Sequence, residues 1–197
     1  MAVLLAICLA FLPGLALVGR IILDDLGADP VATLTHETGQ WALRFLLLSL
    51  SATPLRKLSH WQWPVRIRRV LGLAAFAYAM LHFSMFLVFD HFFDWDEIQR
   101  DIIKRPYITM GFAAYLMMIP LALTSSNYMM RWMGGKHWKA LHKLNYFIGI
   151  TGIVHYFWSV KRDITLPTAH AIILATLLGF RLIGRKPDRR KSPTYSP

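Results

Sequence analysis

The sequence is short of charged residues and has a single cysteine. Only 17% of the 197 residues are charged, whereas a soluble domain usually carries about a quarter. Acidic residues are the scarcer kind, with 11 Asp and Glu against 22 Lys and Arg. One thiol, Cys8, excludes an internal disulfide and a cysteine metal cluster, and it is expected to be an ordinary small helix residue. The composition therefore does not fit a soluble enzyme.

The sequence has instead several apolar runs that are long enough to cross a bilayer. Hydrophobic residues make up 55% of the chain, and a span needs about 20 mostly apolar residues. Six such runs predict an all-α integral membrane bundle with no room for a separate catalytic domain. The second run is the weakest, because it contains Arg44. The predicted spans are 3–22, 40–56, 70–89, 107–124, 141–160 and 167–184.

The N-terminal run and the outer loop 90–106 each carry a pattern that predicts a helix. The first run begins almost at Met1, but no basic residue precedes it and residues 21–24 make a poor cleavage site, so we expect a retained helix rather than a signal peptide. In the outer loop 90–106, apolar residues at positions 95, 98, 102 and 103 follow helical spacing. This spacing predicts a short amphipathic helix on the membrane surface.

The distribution of charge predicts the orientation of the bundle. If the N-terminus is cytoplasmic, then the inner segments 56–69, 125–143 and 181–197 hold 15 of the 22 basic residues and only one acid, Asp188. This is the asymmetry of the positive-inside rule, and it places both termini in the cytoplasm. The net charge of +11 is thus explained by the lipid bilayer rather than by nucleic acid. The basic tail 185–197 is expected to lie against anionic headgroups.

Histidines are the residues most able to carry chemistry in such a chain. A histidine within a span is costly unless it has a partner, so it marks a functional site by default. His82 lies 12 residues into the third span and His155 lies 14 residues into the fifth, or about 18 and 21 Å along the helix axes. Two histidines at matched depth on different helices suit the axial ligation of one haem iron. Tetrahedral zinc would need four close ligands.

The other histidines are assigned less specific positions. His142 lies near the inner end of the fifth span, about 20 Å along the helix from His155. A second haem there would need a ligand from elsewhere, such as His60, or none. His36 either caps the second span or faces the core. The remaining four are expected to be solvated in loops or at span ends: His60, His91, His137 and His170.

Arg44 lies within the second predicted span, four to five residues from its outer end. A buried cation costs about 2.5–3.5 kcal/mol at the centre of a bilayer and less near the surface. Its side chain either extends to the surface or pairs with a haem propionate.

At this point the sequence resembles a known family. The matching segments are 26–31, 36–39, 53–56, 68–73, 81–82, 105–109, 123–125, 138–144 and 155–161, and they follow in order over nearly the whole chain. The most specific are Trp138-Lys139-Ala140-Leu141-His142-Lys143-Leu144 and His155-Tyr156-Phe157-Trp158-Ser159-Val160-Lys161. They are similar to the MsrQ (YedZ) family, the haem-binding membrane subunit of the protein-methionine-sulfoxide reductase system. That family is a short relative of the ferric-reductase transmembrane domains.

The resemblance implies a function and a set of cofactors. It implies one or two haems b, associated FMN, and electrons taken from the quinol pool or a flavin donor. The acceptor would be a periplasmic molybdopterin-containing methionine-sulfoxide reductase, and the location the bacterial inner membrane. By residue, it implies haem ligation by His82 and His155 and a further haem-linked role for His142. His36 matches a family histidine of unassigned role, and FMN maps to no residue.

Two other classes of function stay open from the sequence. The first is a stand-alone transmembrane cytochrome b or ferric reductase; such chains commonly append a flavin and nicotinamide domain, whereas this one stops just after its sixth run. The second is a non-redox bundle or transporter, although the internal repeats and paired broken helices of transporters are not visible. Whether the chain is itself an enzyme is left open, because it has no catalytic sulfoxide site.

Overall fold

The computed structural model describes residues 1–160 and 162–183, and every regular element in this part of the chain is helical. The basic tail 185–197 lies outside the described residues. The helices are α1 (Ala2–Ile22), α2 (Pro30–Ser59), α3 (Trp63–Met85, continued by a π-helical turn, Phe86–Asp90), α4 (Trp95–Lys104), α5 (Pro106–Leu123), α6 (Asn127–Met133), α7 (Gly135–Leu141), α8 (Leu144–Ser159) and α9 (Thr165–Ile183).

Four of these helices are long and apolar enough to cross a membrane. They are α1, α3 with its π-helical turn, α5 and α9. The second predicted span falls in α2, which is 30 residues long but carries several charges. The fifth falls in α8, whose 16 residues are slightly fewer than the usual span. The all-helical membrane architecture is therefore confirmed, and the six-span arrangement stays a prediction. The surface helix predicted near 95–103 is also confirmed, as α4.

The helices α2 and α3 extend beyond the predicted spans 40–56 and 70–89, and α8 is slightly shorter than 141–160, because hydropathy marks the apolar part of a helix and not where the helix starts; the span bounds themselves stay predictions. α2 begins at Pro30, ten residues early, because the Asp29 side chain accepts a hydrogen bond from the amide of Ala32 at 2.9 Å. An N-cap followed by proline is a strong start signal. α3 begins at Trp63, so most of the predicted inner loop 56–69 is helical.

The packing of α1 on α3 depends on a tyrosine hydroxyl. Pro13 has no amide hydrogen, so it weakens the backbone ladder of α1. The Tyr78 hydroxyl enters the opened turn, accepting from the amide of Gly14 at 2.7 Å and donating to the carbonyl of Ala10 at 3.0 Å. These two groups would otherwise bond to each other. A Cβ at position 14 would lie 3.1 Å from this hydroxyl, so glycine suits the contact.

A second proline is compensated near the C-terminal end of α2. Pro54 in α2 cannot donate to the carbonyl of Leu50, which is therefore left without its helical partner. Arg181 of α9 donates to that carbonyl at 2.8 Å and also to the Tyr146 hydroxyl of α8. Its guanidinium lies 4.9 Å from the centre of the Tyr146 ring. One arginine thus joins three helices.

Charge is segregated between the two ends of the bundle. The most extensive helix pairs are α2 with α3 and α5 with α8. Because these partners run antiparallel, the α1–α2, α3–α4 and α8–α9 connections lie at one end. All ten acids of the described residues are in or beside those connections, and we call it the acidic end. They are Asp24, Asp25, Asp29, Glu37, Asp90, Asp94, Asp96, Glu97, Asp101 and Asp163.

Candidate functional site

A cavity of about 750 Å³ lies between α2, α3, α5 and α8. Pockets for cofactors and drug-sized ligands commonly have volumes of about 300–1,000 Å³. Part of its wall is apolar, with Leu46 and Ile148 among the lining residues, and part is polar, with His91, Asp101 and Arg105. The cavity thus extends from the core of the bundle to the acidic end.

His82 and His155 face each other across this cavity. Their ring centroids are 5.9 Å apart, and the ring planes meet at 75°. An imidazole nitrogen binds a metal at about 2.0–2.1 Å, so two rings on opposite sides of one metal have centroids about 6 Å apart. The two rings, which the sequence predicts at matched depth, thus lie at a separation that suits one shared metal.

Each of these rings is oriented by a backbone carbonyl on a neighbouring helix. His82 Nδ1 lies 2.8 Å from the Thr35 carbonyl of α2, and His155 Nδ1 lies 2.7 Å from the Tyr107 carbonyl of α5. A carbonyl only accepts hydrogen bonds, so each Nδ1 carries the proton and each Nε2 keeps its lone pair. Metal-binding histidines usually donate their other ring N–H in this way, which fixes the ring and makes it a stronger ligand.

These features fit a haem better than a bare metal ion. Within residues 1–160 and 162–183, no group of three or more His, Cys, Asp or Glu side chains is placed to hold an ion. Two opposed imidazoles with free Nε2 atoms would hold a haem iron, which needs only two ligands from the protein. The cavity volume and its apolar wall suit a flat, mostly apolar group. The residues present therefore fit a bis-histidine haem.

His142 lies away from this cavity, in the break between α7 and α8. Its ring stacks on Trp138 with centroids 3.9 Å apart, and its Nδ1 is 3.1 Å from the Trp138 carbonyl. The Trp138 indole in turn donates to the Thr124 carbonyl at 2.8 Å. His142 does not line the cavity. Its link to a second haem stays a prediction, as does the suggestion of His60, which caps the C-terminus of α2.

The two remaining candidates, His36 and Arg44, lie on α2. His36 lines the cavity, and its side chain is largely exposed. Arg44 does not line it: its guanidinium donates to Gln40 Oε1 at 2.6 Å and lies 4.7 Å from the Trp41 ring centre. Gln40 is itself a lining residue. Pairing of Arg44 with a propionate stays a prediction.

Two histidines expected at solvated span ends are buried in the structure. His91 and His170 are each 7% exposed, so that prediction was wrong. His170 Nδ1 is 2.7 Å from the Leu166 carbonyl, and its ring meets Tyr156 edge-on. His91 is covered because the loop after α3 turns under α4. Hydropathy could not show this, because the covering helix is polar.

His91 belongs to a polar cluster at the cavity's acidic end. Its Nε2 is 3.3 Å from Asp101 and its Nδ1 is 3.6 Å from Glu97, while Asp101 also contacts Arg105 at 3.2 Å. The sequence analysis missed this cluster. The signal was available, since Glu97, Asp101 and Arg105 recur every four residues along and just past α4, on one face. All four residues line the cavity.

Comparisons with known proteins were made for the whole chain. Residues 38–153 match the family described as ferric reductase like transmembrane component. The chain is 47% identical over 188 residues to the protein-methionine-sulfoxide reductase heme-binding subunit MsrQ of Herminiimonas arsenicoxydans, covering 92% of this chain and 86% of that one. It is 48% identical over 196 residues to the MsrQ of Azospira oryzae, with coverages of 96% and 84%. No solved structure matches.

Proposed function

The chain belongs to the MsrQ family within the ferric-reductase-like transmembrane proteins, and on that premise we propose that it is a haem-binding electron-transfer subunit. The observation that carries the proposal is the opposed pair His82 and His155, with ring centroids 5.9 Å apart and each Nδ1 bonded to a carbonyl.

His82 and His155 would hold a haem b by their Nε2 atoms. The haem supplies one-electron redox chemistry within the bilayer. The protein's own contribution is positional: the Thr35 and Tyr107 carbonyls fix the ring tautomers and orientations. The apolar wall of the cavity excludes water and lowers the local dielectric constant, two of the means by which a protein sets the potential of a bound haem.

The orientation proposed for this subunit has both termini in the cytoplasm and the acidic end in the periplasm of a bacterial inner membrane. The segregation of all ten described acids to one end supports this orientation. In a six-span topology, α2 and α8 complete the bundle. α2 packs along α3 and α8 along α5, so both lie within the helix bundle and not beside it.

The proposed electron path runs from the cytoplasmic half to the periplasmic face. Quinol or a flavin, including FMN, would be the donor, and a periplasmic molybdopterin-containing methionine-sulfoxide reductase the acceptor. The cavity between His82 and His155 extends to the acidic end, which supports delivery of electrons on that side. His142, at the other end of α8, is the candidate ligand of a second haem nearer the donor.

The alternative function is a stand-alone transmembrane cytochrome b that reduces ferric iron. The match of residues 38–153 to the ferric-reductase-like family favours it. Both functions use the same histidine pair, so a haem spectrum alone does not separate them. The identity of the electron acceptor does.

Anaerobic reoxidation tests the proposed function directly. The purified subunit is reduced, and its α band is followed as the methionine-sulfoxide reductase and then methionine sulfoxide are added. We expect the α band to decay only when both are present, with each alone as a control. If the haem stays reduced while the reductase is independently active, the methionine-sulfoxide function is wrong. Reoxidation by a ferric chelate alone at a comparable rate would favour the alternative.

A further inference from the structure

Two glycines lie directly against the rings of the paired histidines. A Cβ built on Gly39 of α2 would lie 3.0 Å from His82 Nδ1 and 3.1 Å from its Cε1. A Cβ built on Gly111 of α5 would lie 2.7 Å from His155 Nδ1 and 2.9 Å from its Cε1. Contacts below about 3.4 Å are tighter than carbon atoms accept without displacement. Each ring therefore occupies the space that a side chain would take.

The two contacts have the same construction. His82 bonds to the carbonyl of Thr35, four residues before Gly39, and His155 bonds to the carbonyl of Tyr107, four residues before Gly111. In an α-helix the amide of residue i+4 points at the carbonyl of residue i. The imidazole thus lies over the helical hydrogen bond that the glycine itself makes. It reaches the carbonyl only because no Cβ stands beside that bond.

We propose that Gly39 and Gly111 are positioning residues for the two haem-ligating histidines. Each glycine lets one imidazole approach the backbone of the neighbouring helix, so that Nδ1–H meets the carbonyl and Nε2 faces the cavity. The same arrangement of glycine, backbone carbonyl and histidine occurs in both helix pairs, α2–α3 and α5–α8. The inference rests on the proposed function, since it assumes that His82 and His155 ligate a haem.

The His82 and His155 rings cannot move away from an added methyl group without lengthening a bond that holds them. A flexible side-chain end would usually swing away from an added Cβ. Here the Nδ1 of each ring is held by a carbonyl, and Nε2 would be held by the iron. Moving the ring by several tenths of an ångström must lengthen one of these bonds. An added methyl at either glycine therefore acts on the haem through its ligand.

The distances also rank the two positions. All three nearest contacts at Gly111 are at or below 3.1 Å, whereas at Gly39 the third is at 3.6 Å. G111A should therefore disturb its histidine more than G39A. Gly72 in α3 offers a matched control, because the nearest atom to a Cβ added there, apart from its own helix backbone, is Ser49 Oγ at an ordinary 3.6 Å. All three glycines are inside long helices, where alanine is otherwise the better helix former.

Loss of the Nδ1–H bond has an electronic consequence. That bond makes the imidazole a stronger donor, and a stronger donor stabilises the oxidised iron. If the methyl group lengthens the bond, the midpoint potential of the haem rises. If it lengthens the iron bond instead, low-spin haem is replaced by high-spin haem or lost. A change in packing alone produces neither effect.

The test compares haem-loaded wild type, G39A, G111A and G72A in detergent. Haem per protein, the low-spin and high-spin absorbance and EPR signals, and the midpoint potential are measured, with helical content by circular dichroism as the fold control. We expect G72A to match the wild type and G39A to show a raised potential. G111A should show a larger rise, high-spin signal or at least a several-fold loss of haem.

Three results would overturn the proposal. The first is a G111A protein with wild-type haem content, spectrum and potential. The second is an effect of G72A as large as that of G111A. The third, if G111A does not accumulate, is a G39A protein with an unchanged midpoint potential. A wild-type protein that binds no haem would refute the proposed function itself. Wild-type haem binding that depends on His82 and His155 but not on either glycine refutes only the positioning role.

Discussion

His91 Nε2 lies 3.3 Å from the Asp101 carboxylate, and this contact joins the loop after α3 to the surface helix α4. Both side chains are largely buried, at 6% and 14% exposure. Removing Asp101 leaves the buried His91 Nε2 without its partner, at a cost of about 1–3 kcal/mol, whereas removing His91 leaves Asp101 with Arg105 alone. The contact is thus a polar attachment of α4 to the loop that lines the cavity.

We therefore expect His91→Ala and Asp101→Asn to loosen α4 without removing the haem. Amide hydrogen exchange over residues 95–104 should become faster, while the α band keeps its wild-type intensity. Asp96→Asn, an exposed substitution on the same helix, is the control and should change neither. Loss of the haem signal in H91A would instead make His91 a ligand.

Haem ligation gives the second prediction. His82→Ala and His155→Ala should each remove most of the haem signal, because each takes one axial ligand from the same iron. Absorbance of the purified, reduced proteins measures this. Wild-type Soret and α bands in either variant would contradict the pairing.

A third prediction concerns His142, which lies outside the cavity. His142→Ala should cause partial loss of haem or slower electron entry, with the haem held by His82 and His155 retained. Haem content and reduction kinetics with a quinol analogue measure the two effects separately. Complete loss of haem would mean that the wrong histidines have been paired.

Topology is the fourth prediction. A cysteine placed at Ser125 should react with a membrane-impermeant maleimide only from the cytoplasmic face. A cysteine placed at Asp96 should react only from outside. Cys8 is first replaced by alanine so that it does not contribute. The reverse pattern would invert the bundle and the proposed direction of electron transfer.

The Tyr78 hydroxyl gives a prediction on stability alone. Tyr78→Phe removes the group that bonds both Gly14 and Ala10, at an expected cost of about 1–3 kcal/mol. Thermal unfolding in detergent should shift downward, with the haem spectrum unchanged. Tyr128→Phe, at an exposed site, should have little effect. Equal stability of Y78F and wild type would show that the α1 turn closes without the hydroxyl.

Periodicity and hydropathy were sufficient for part of this fold. The apolar runs located α1, α3, α5 and α9, and helical spacing located α4. The depth of a residue in a membrane follows from its position along a helix of known direction. His82 and His155 were paired because their predicted depths agree. The structure places the centres of those rings 5.9 Å apart with their planes at 75°, while their role as ligands stays a prediction.

Other features depend on contacts between helices, which a linear pattern does not record. Gly39 and Gly111 are ordinary helix residues until His82 and His155 are placed beside them. His91 looks like a residue at a span end until α4 folds over it. The start of α2 at Pro30 has a local cause, the Asp29–Pro30 cap, which is a polar signal that hydropathy does not register.

The bond from Arg181 to the Leu50 carbonyl has a consequence for how the protein is made. Pro54 deprives that carbonyl of its own helical partner, and an unpaired carbonyl is costly in lipid. The substitute donor for the Leu50 carbonyl is Arg181 of α9. Because synthesis proceeds from the N-terminus, this donor is made about 130 residues after the carbonyl. The early helices therefore enter the membrane with one bond missing. The end of the bundle opposite the acidic end is completed only when the last helix has been inserted, so its assembly can proceed during synthesis in all but its final step.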